Sequence, residues 1–131
     1  MASIPDEFVD LFEKPTFAHV ATVMPDGTPH VTPVWVDYDA DENYVLVNTE
    51  RGRQKERNAS RNSRVGVSMT DPDDPYRALS VLGEVAEIRT EGAREHIDEL
   101  ARRYTGESEY SNPIETERVL LCIRPERVMG R

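Results

Sequence analysis

The chain has 131 residues, with 25 acidic against 16 basic side chains and a formal charge of −9. That length suits a single domain, 1–131, able to bury roughly two-thirds of its unfolded surface. A low isoelectric point, one short basic segment and no aromatic residues interleaved with its arginines argue against a nucleic-acid surface. No apolar run approaches the roughly 18 residues that a membrane span needs.

Ser3 followed by Asp6 has the form of an N-terminal helix cap, and Ile4, Phe8, Leu11 and Phe12 then share one face, which predicts a short helix over about residues 4–13. Lys14-Pro15 ends it. Phe17 to Val23 reads as a strand, Pro25-Asp26-Gly27 as a turn, and Pro29 to Asp37 as the second arm of a hairpin. A further turn over Asp39 to Asn43 leads to the strand Tyr44 to Thr49. After a basic segment, Val65, Val67 and Met69 alternate in a half-buried strand, Arg64 to Thr70. Asp71 to Pro75 is a loop, and Ala78 to Thr90 is a longer strand in which Gly83 marks a bulge or a close backbone approach. Ala93, Ile97, Leu100, Ala101 and Tyr104 have helical spacing closed by Gly106. A polar loop, Thr105 to Pro113, precedes the last strand, Val119 to Arg124, halted by Pro125. The expected fold is mainly β (α+β): six strands, mostly antiparallel, forming a small barrel with two or three short helices at its ends.

The segment Thr49 to Arg64 holds Arg51, Arg53, Lys55, Arg57, Arg61 and Arg64 against Glu50 and Glu56, a local balance of +4. A basic island on an acidic protein is a seat for an anionic ligand, because the remaining surface repels one. It follows the apolar run Tyr44-Val45-Leu46-Val47, and Gln54 to Ala59 reads as the first turns of a helix. Strand, glycine-containing turn and helix start together direct backbone N–H groups at a phosphate. Arg53 can fork onto phosphate oxygens while Lys55 adds a point charge. The competing reading is a solvated charged helix face.

Other constellations fail. Asp37, Asp39 and Asp41 copy the start of a calcium loop, but Glu42 and Asn48 stand where its glycine and terminal glutamate belong. His19, His30 and His96 lack metal-ligand spacing, and His96 is read as facing outward on its helix. No nucleophile elbow, Walker loop or dinucleotide fingerprint is present. No catalytic side chain and no metal ligand is therefore named, and any chemistry belongs to a bound organic cofactor. The start MASIPDEF lacks the features of a signal peptide, which points to the cytoplasm, and Cys122 reads as a small core residue. Acidic, lysine-poor composition suits either high salt or a GC-rich genome.

The order of the segments Ala21 to Trp35, Arg51 to Asn58, Arg64 to Ser68, Gly83 to Ala86 and Val119 to Val128 resembles the pyridoxamine 5′-phosphate oxidase-like split β-barrel superfamily. It looks especially like the small members that use the deazaflavin coenzyme F420. The resemblance implies an FMN-binding type of split barrel and a homodimer with cofactor sites at its interface. It implies hydride transfer between bound F420 and a small unsaturated substrate, with an FMN-binding flavoprotein and a non-catalytic flavin carrier as the alternatives. By the same resemblance Arg53 and Lys55 grip the cofactor phosphate and Thr49 donates from the strand end. Asn58 steadies the loop or reaches that phosphate, and Thr32, Pro33, Val34 and Trp35 flank the ring. Gln54 completes the implied cofactor-binding set. Arg51 or Arg57 would follow an anionic tail, and Arg124, Arg127 and Arg131 are the C-terminal bases available to a substrate phosphate.

Overall fold

The alternation read in the sequence is realised as one antiparallel sheet. The structure is a computed structural model that describes residues 2–131; Met1, the first residue of the expected domain, lies outside them. The strands are β1 (Ala18–Val23), β2 (Pro29–Val34), β3 (Asp37–Asp39), β4 (Tyr44–Glu50), β5 (Arg64–Asp71), β6 (Asp74–Arg89) and β7 (Arg118–Gly130). They pair in the order β2-β1-β5-β6-β7-β4-β3. Helix α1 is Gln54–Arg61, α2 is Ala93–Thr105, and a 3-10 helix spans Asp6–Phe12.

There are seven strands, not the expected six, because the stretch Pro29 to Asp37 divides at Trp35-Val36. β2 pairs with β1 at one edge of the sheet and β3 with β4 at the other. In a flat seven-stranded sheet those edges would stand about 29 Å apart. The three peptide units from Val34 to Asp37 span no more than about 11 Å. The sheet is therefore rolled until its edges meet across Trp35-Val36. No ladder joins β2 to β3 among the described residues, so the barrel is split rather than closed.

Val20, Val36, Val45, Val47, Val67, Met69, Val81, Leu121 and Ile123 fill the interior, and Phe8, Leu11 and Phe12 of the 3-10 helix belong to the same core. Helix α1 packs against β1, with Ala59 in the core. The opposite faces of β4 and β7 carry Leu46, Leu120 and Cys122, which pack on Ala93 at the start of α2. α2 thus covers an outer face of the sheet instead of a barrel end. Both faces of β4 are buried, which accounts for its unbroken apolar run.

Three boundaries differ from expectation. The N-terminal helix is 3-10 and begins at Asp6 after Pro5, and its cap has no side-chain hydrogen bond, so Ser3 does not cap it. Asp71 to Pro75 is a tight hairpin turn instead of a loop, since β6 already starts at Asp74. β7 runs through Pro125 to Gly130. Pro125 is tolerated there because it lies beyond the last β4 pair, Val45 with Ile123, and opposite Gly83, where the β6–β7 register shifts. Gly83 is required at that point: a Cβ would sit 2.2 Å from the Arg124 carbonyl oxygen.

Candidate functional site

Where β4 ends and α1 begins, the rolled sheet brings its seam beside the basic segment. A cleft of about 250 Å³ opens there. The seam contributes Pro33, Val34 and Trp35, the end of β4 contributes Asn48 and Thr49, and the turn into α1 contributes Arg53 and Lys55. Tyr110 and Asn112 line it from the loop after α2, and Arg118 from the start of β7. Trp35 is half-buried, stacked on Tyr104 with centroids 5.1 Å apart and meeting Tyr110 edge-on at 6.3 Å. Tyr104 is itself fixed, donating to the Thr16 carbonyl at 2.6 Å and accepting from the Val36 amide at 3.1 Å. One wall is therefore rigid and aromatic and the other cationic.

The cationic wall is unbalanced. Arg53 stands 3.7 Å from Glu50, whereas Lys55 and Arg118 have no carboxylate within 4 Å among the described residues. Burial, and then the charges of Arg53 and Arg118, push the Lys55 ammonium below the usual lysine range. Burial likewise lowers Arg118, which is 8% exposed. Arg118 donates from Nε to Asn48 Oδ1 at 2.8 Å and lies over the Tyr110 ring at 5.1 Å. Three cations converging with one carboxylate form a site that an anion would relieve.

The rest of the basic segment is engaged elsewhere. Arg51 pairs with Glu117, Arg57 bonds Gln54, and Arg61 bonds the Val23 carbonyl. Gln54 Nε2 donates to Asn58 Oδ1 at 2.8 Å. Asn58 is fully buried and donates to Thr22 Oγ1 at 3.0 Å, which ties α1 to β1. Neither Gln54 nor Asn58 lines the cleft, and Thr32, on the inward face of β2, does not line it either. Glu50 is buried and accepts from the amides of Thr116 and Glu115. Those bonds, the Thr116 amide foremost, hold its carboxyl below the usual range against the effect of burial. Glu50 thereby ties the loop that carries Tyr110 and Asn112 to the end of β4.

Arg118, Asn48, Tyr110 and His96 are absent from the sequence-derived set. A polar residue ending an apolar strand run, as Asn48 does, and a charged residue opening one, as Arg118 does, are the signals that would have found the first two. His96 does not face outward: its side chain is 10% exposed and bonds Asp37 Oδ2 at 2.9 Å. Burial raises the Asp37 carboxyl, but the His96 bond and the Arg103 charge outweigh it and leave it low. Of the C-terminal bases, Arg124 pairs with Glu84 at 3.2 Å. Arg127 lies in a separate outer groove of about 710 Å³ with Ala21, Val23, Pro29 and Leu82.

The pyridoxamine 5′-phosphate oxidase family profile matches residues 4–130, and the chain belongs to that family. Among solved structures it is similar to an F420 reductase, at 34% identity over 96% of this chain and 98% of that one, with a TM-score of 0.84. A conserved hypothetical protein from Mycobacterium tuberculosis is 25% identical over 99% of this chain and 85% of its own, with a TM-score of 0.75. General Stress Protein 26 from Bacillus anthracis shares the fold, at 19% identity, 95% and 91% coverage, and a TM-score of 0.70. No protein of curated function matches the chain.

Proposed function

We propose that this member of the pyridoxamine 5′-phosphate oxidase family binds a deazaflavin or flavin cofactor in the cleft and acts as an oxidoreductase on a small organic substrate. The observation that carries the reading is the convergence of Arg53, Lys55 and Arg118, short of carboxylates, beside the flat Trp35–Tyr104 stack. A phosphate answers the first feature and a fused ring the second. Coenzyme F420 is the favoured ligand, supported by the likeness to an F420 reductase over nearly the whole chain. FMN is the second reading, supported by the family itself.

The bound cofactor would supply hydride-transfer chemistry. The chain's own residues do the rest. Lys55 and Arg53 hold the anionic end, and Thr49 closes the strand end beside them. Pro33, Val34 and Trp35 give the ring a dry, preorganised surface, and Tyr110 and Asn112 bound the substrate side. Positioning and exclusion of water supply much of the rate for such a reaction. Gln54 and Asn58 serve by holding α1 against β1, so that Lys55 is presented at a fixed height.

One chain holds only part of such a ligand. About 250 Å³ falls short of the roughly 300–1,000 Å³ usual for cofactor pockets. The outer face offers an apolar groove at Ala21, Val23, Pro29 and Leu82, with Val31, Leu82 and Met129 exposed. A second copy seated there forms the homodimer and completes the pocket.

A fluorescence titration of the cofactor-free protein, run separately with FMN and F420 and repeated with Lys55→Ala, tests the reading. Tight F420 binding weakened by about 1.5–3 kcal/mol in the variant supports it. Preference for FMN moves the protein to the flavin reading. Failure of both ligands to bind removes the enzyme assignment.

A further inference from the structure

The seat of Arg118 is built from a chain of hydrogen bonds that admits only one protonation state. Asn48 Nδ2 donates to the Ala93 carbonyl at 2.9 Å and lies 3.1 Å from His96 Nδ1, while Asn48 Oδ1 accepts from Arg118 Nε at 2.8 Å. The amide orientation is therefore set from both ends. His96 Nδ1 must accept, so its proton sits on Nε2 and is donated to Asp37 Oδ2 at 2.9 Å. Asp37 Oδ1 accepts in turn from Arg103 at 3.1 Å and from the Tyr38 amide at 2.9 Å. The relay runs from Arg103 on α2, through Asp37 on β3, His96 on α2 and Asn48 on β4, to Arg118 on β7.

We propose that His96 is a positioning residue for the candidate site: as a neutral imidazole it fixes Asn48, which aims Arg118 as a third anion-gripping cation, and acid breaks that aim. The proposal rests on the cofactor-binding reading above for the identity of the anion, a phosphate group. A second proton on His96 would sit on Nδ1 and meet the Asn48 N–H group donor against donor. Asn48 cannot answer by turning over, since its N–H would then face Arg118 Nε–H and its oxygen the Ala93 carbonyl. The charged groups that meet the relay are Asp37 from β3, Arg103 from α2 and Arg118 from β7. Protonation thus pushes Asn48 off its place, and Arg118 loses the acceptor that fixes Nε and keeps only the Tyr110 ring beneath it.

His96→Gln is the informative variant, because an amide can accept from Asn48 and donate to Asp37 yet takes no proton near neutrality. FMN affinity should be measured from pH 7.5 to 5.5 on wild type, His96→Gln and Arg118→Gln. The second proton of a phosphate, with a pKa of about 6, weakens all three curves alike. Wild type should lose about tenfold more affinity than His96→Gln across that range, while Arg118→Gln starts about tenfold weaker and follows the His96→Gln slope. Superimposable profiles for wild type and His96→Gln overturn the relay. A second readout needs no ligand: the Arg118 Nε–H signal in 15N spectra should be sharp at pH 7.5, fade at pH 5.5 in wild type, and persist in His96→Gln. A signal indifferent to pH in wild type overturns the relay even where FMN binds. Absence of FMN and F420 binding at every pH overturns the cofactor reading, and the grip of Arg118 with it, whatever the Nε–H signal does.

Discussion

The chain has only two lysines, and they sit in opposite electrostatic settings. Lys14 bonds Asp71 at 2.7 Å and Asp73 at 3.0 Å, and Arg77 beside it bonds Asp71 and Asp10. That cluster ties the 3-10 helix to the β5–β6 hairpin, with three carboxylates around two cations. Lys55 sits with Arg53 and Arg118 and with one carboxylate 3.7 Å from Arg53. In the first cluster charge complements charge and the result is a strut. In the second the complement is missing from the chain, and that deficit marks the place where something else is bound. The basic segment as a whole is not the signal, because four of its six cations are turned outward or tied to acceptors nearby.

The largest effect should come from the second cluster. Lys55→Met keeps the packing of the stem and removes the charge, so FMN or F420 affinity should fall by about 1.5–3 kcal/mol while the ligand-free protein melts no lower than wild type. A calorimetric titration and a thermal melt on the same preparation check both halves. A variant that loses stability along with affinity would place Lys55 among the structural charges and erase the contrast. Asp71→Asn should do the reverse. Its carboxyl is held far below the usual range, by Lys14 first, so the stability it adds is complete above the unfolded value near 3.8 and is lost only as pH falls toward the folded value. The variant should melt lower at pH 7 with cofactor affinity unchanged, and the gap should close only in strong acid. Smaller still is the expected effect of Glu50→Gln. It keeps Thr116 and Glu115 in place through a neutral acceptor but weakens both bonds, and a few-fold loss of affinity should follow as Tyr110 loosens.

Much of this arrangement was legible in the chain. Alternation, apolar runs and turn residues placed every strand except β3, and Gly27 at a φ of 91° with Asp26 accepting from the Thr28 amide confirms the first hairpin. Arg53, Lys55, Thr49 and Pro33 to Trp35 do come together. What escaped was the division at Trp35-Val36. Those residues look like strand, and the two edges they bridge are set by the roll of the whole sheet. Asn48 is hidden inside the expected strand Tyr44 to Thr49 and Arg118 just before the one expected from Val119, though buried polar groups need partners and so carry more information than their apolar neighbours. His96 is misplaced by a helix stripe drawn through Ala93, Ile97, Leu100, Ala101 and Tyr104. Residue 96 lies three beyond Ala93 and four before Leu100, on the margin of that stripe, where a short strand such as β3 can still cover it.

The comparison can be read directly from the two lysines themselves. Burial and like charge lower Lys55, so between its folded and unfolded values the unfolded chain carries a proton that the folded one lacks, and stability rises with pH through that window. The bonds that Lys14 donates to Asp71 and then to Asp73 raise it, so its contribution is complete below the unfolded value near 10.5 and is lost as pH climbs through the folded one. The two slopes lie in adjoining pH windows, a rise below the unfolded value near 10.5 and a fall above it. Separate signals assign each slope to its lysine. With 13C-labelled lysine the protein gives two Cε resonances, and Lys55 should titrate before Lys14. A saturating phosphate ligand should reverse that advance by supplying the missing negative charge, moving Lys55 upward and leaving Lys14 where it was. Coincident titration curves would mean that the cleft is no more starved of carboxylates than the strut. A Lys55 curve unmoved by ligand would mean that the starvation serves some purpose other than gripping an anion.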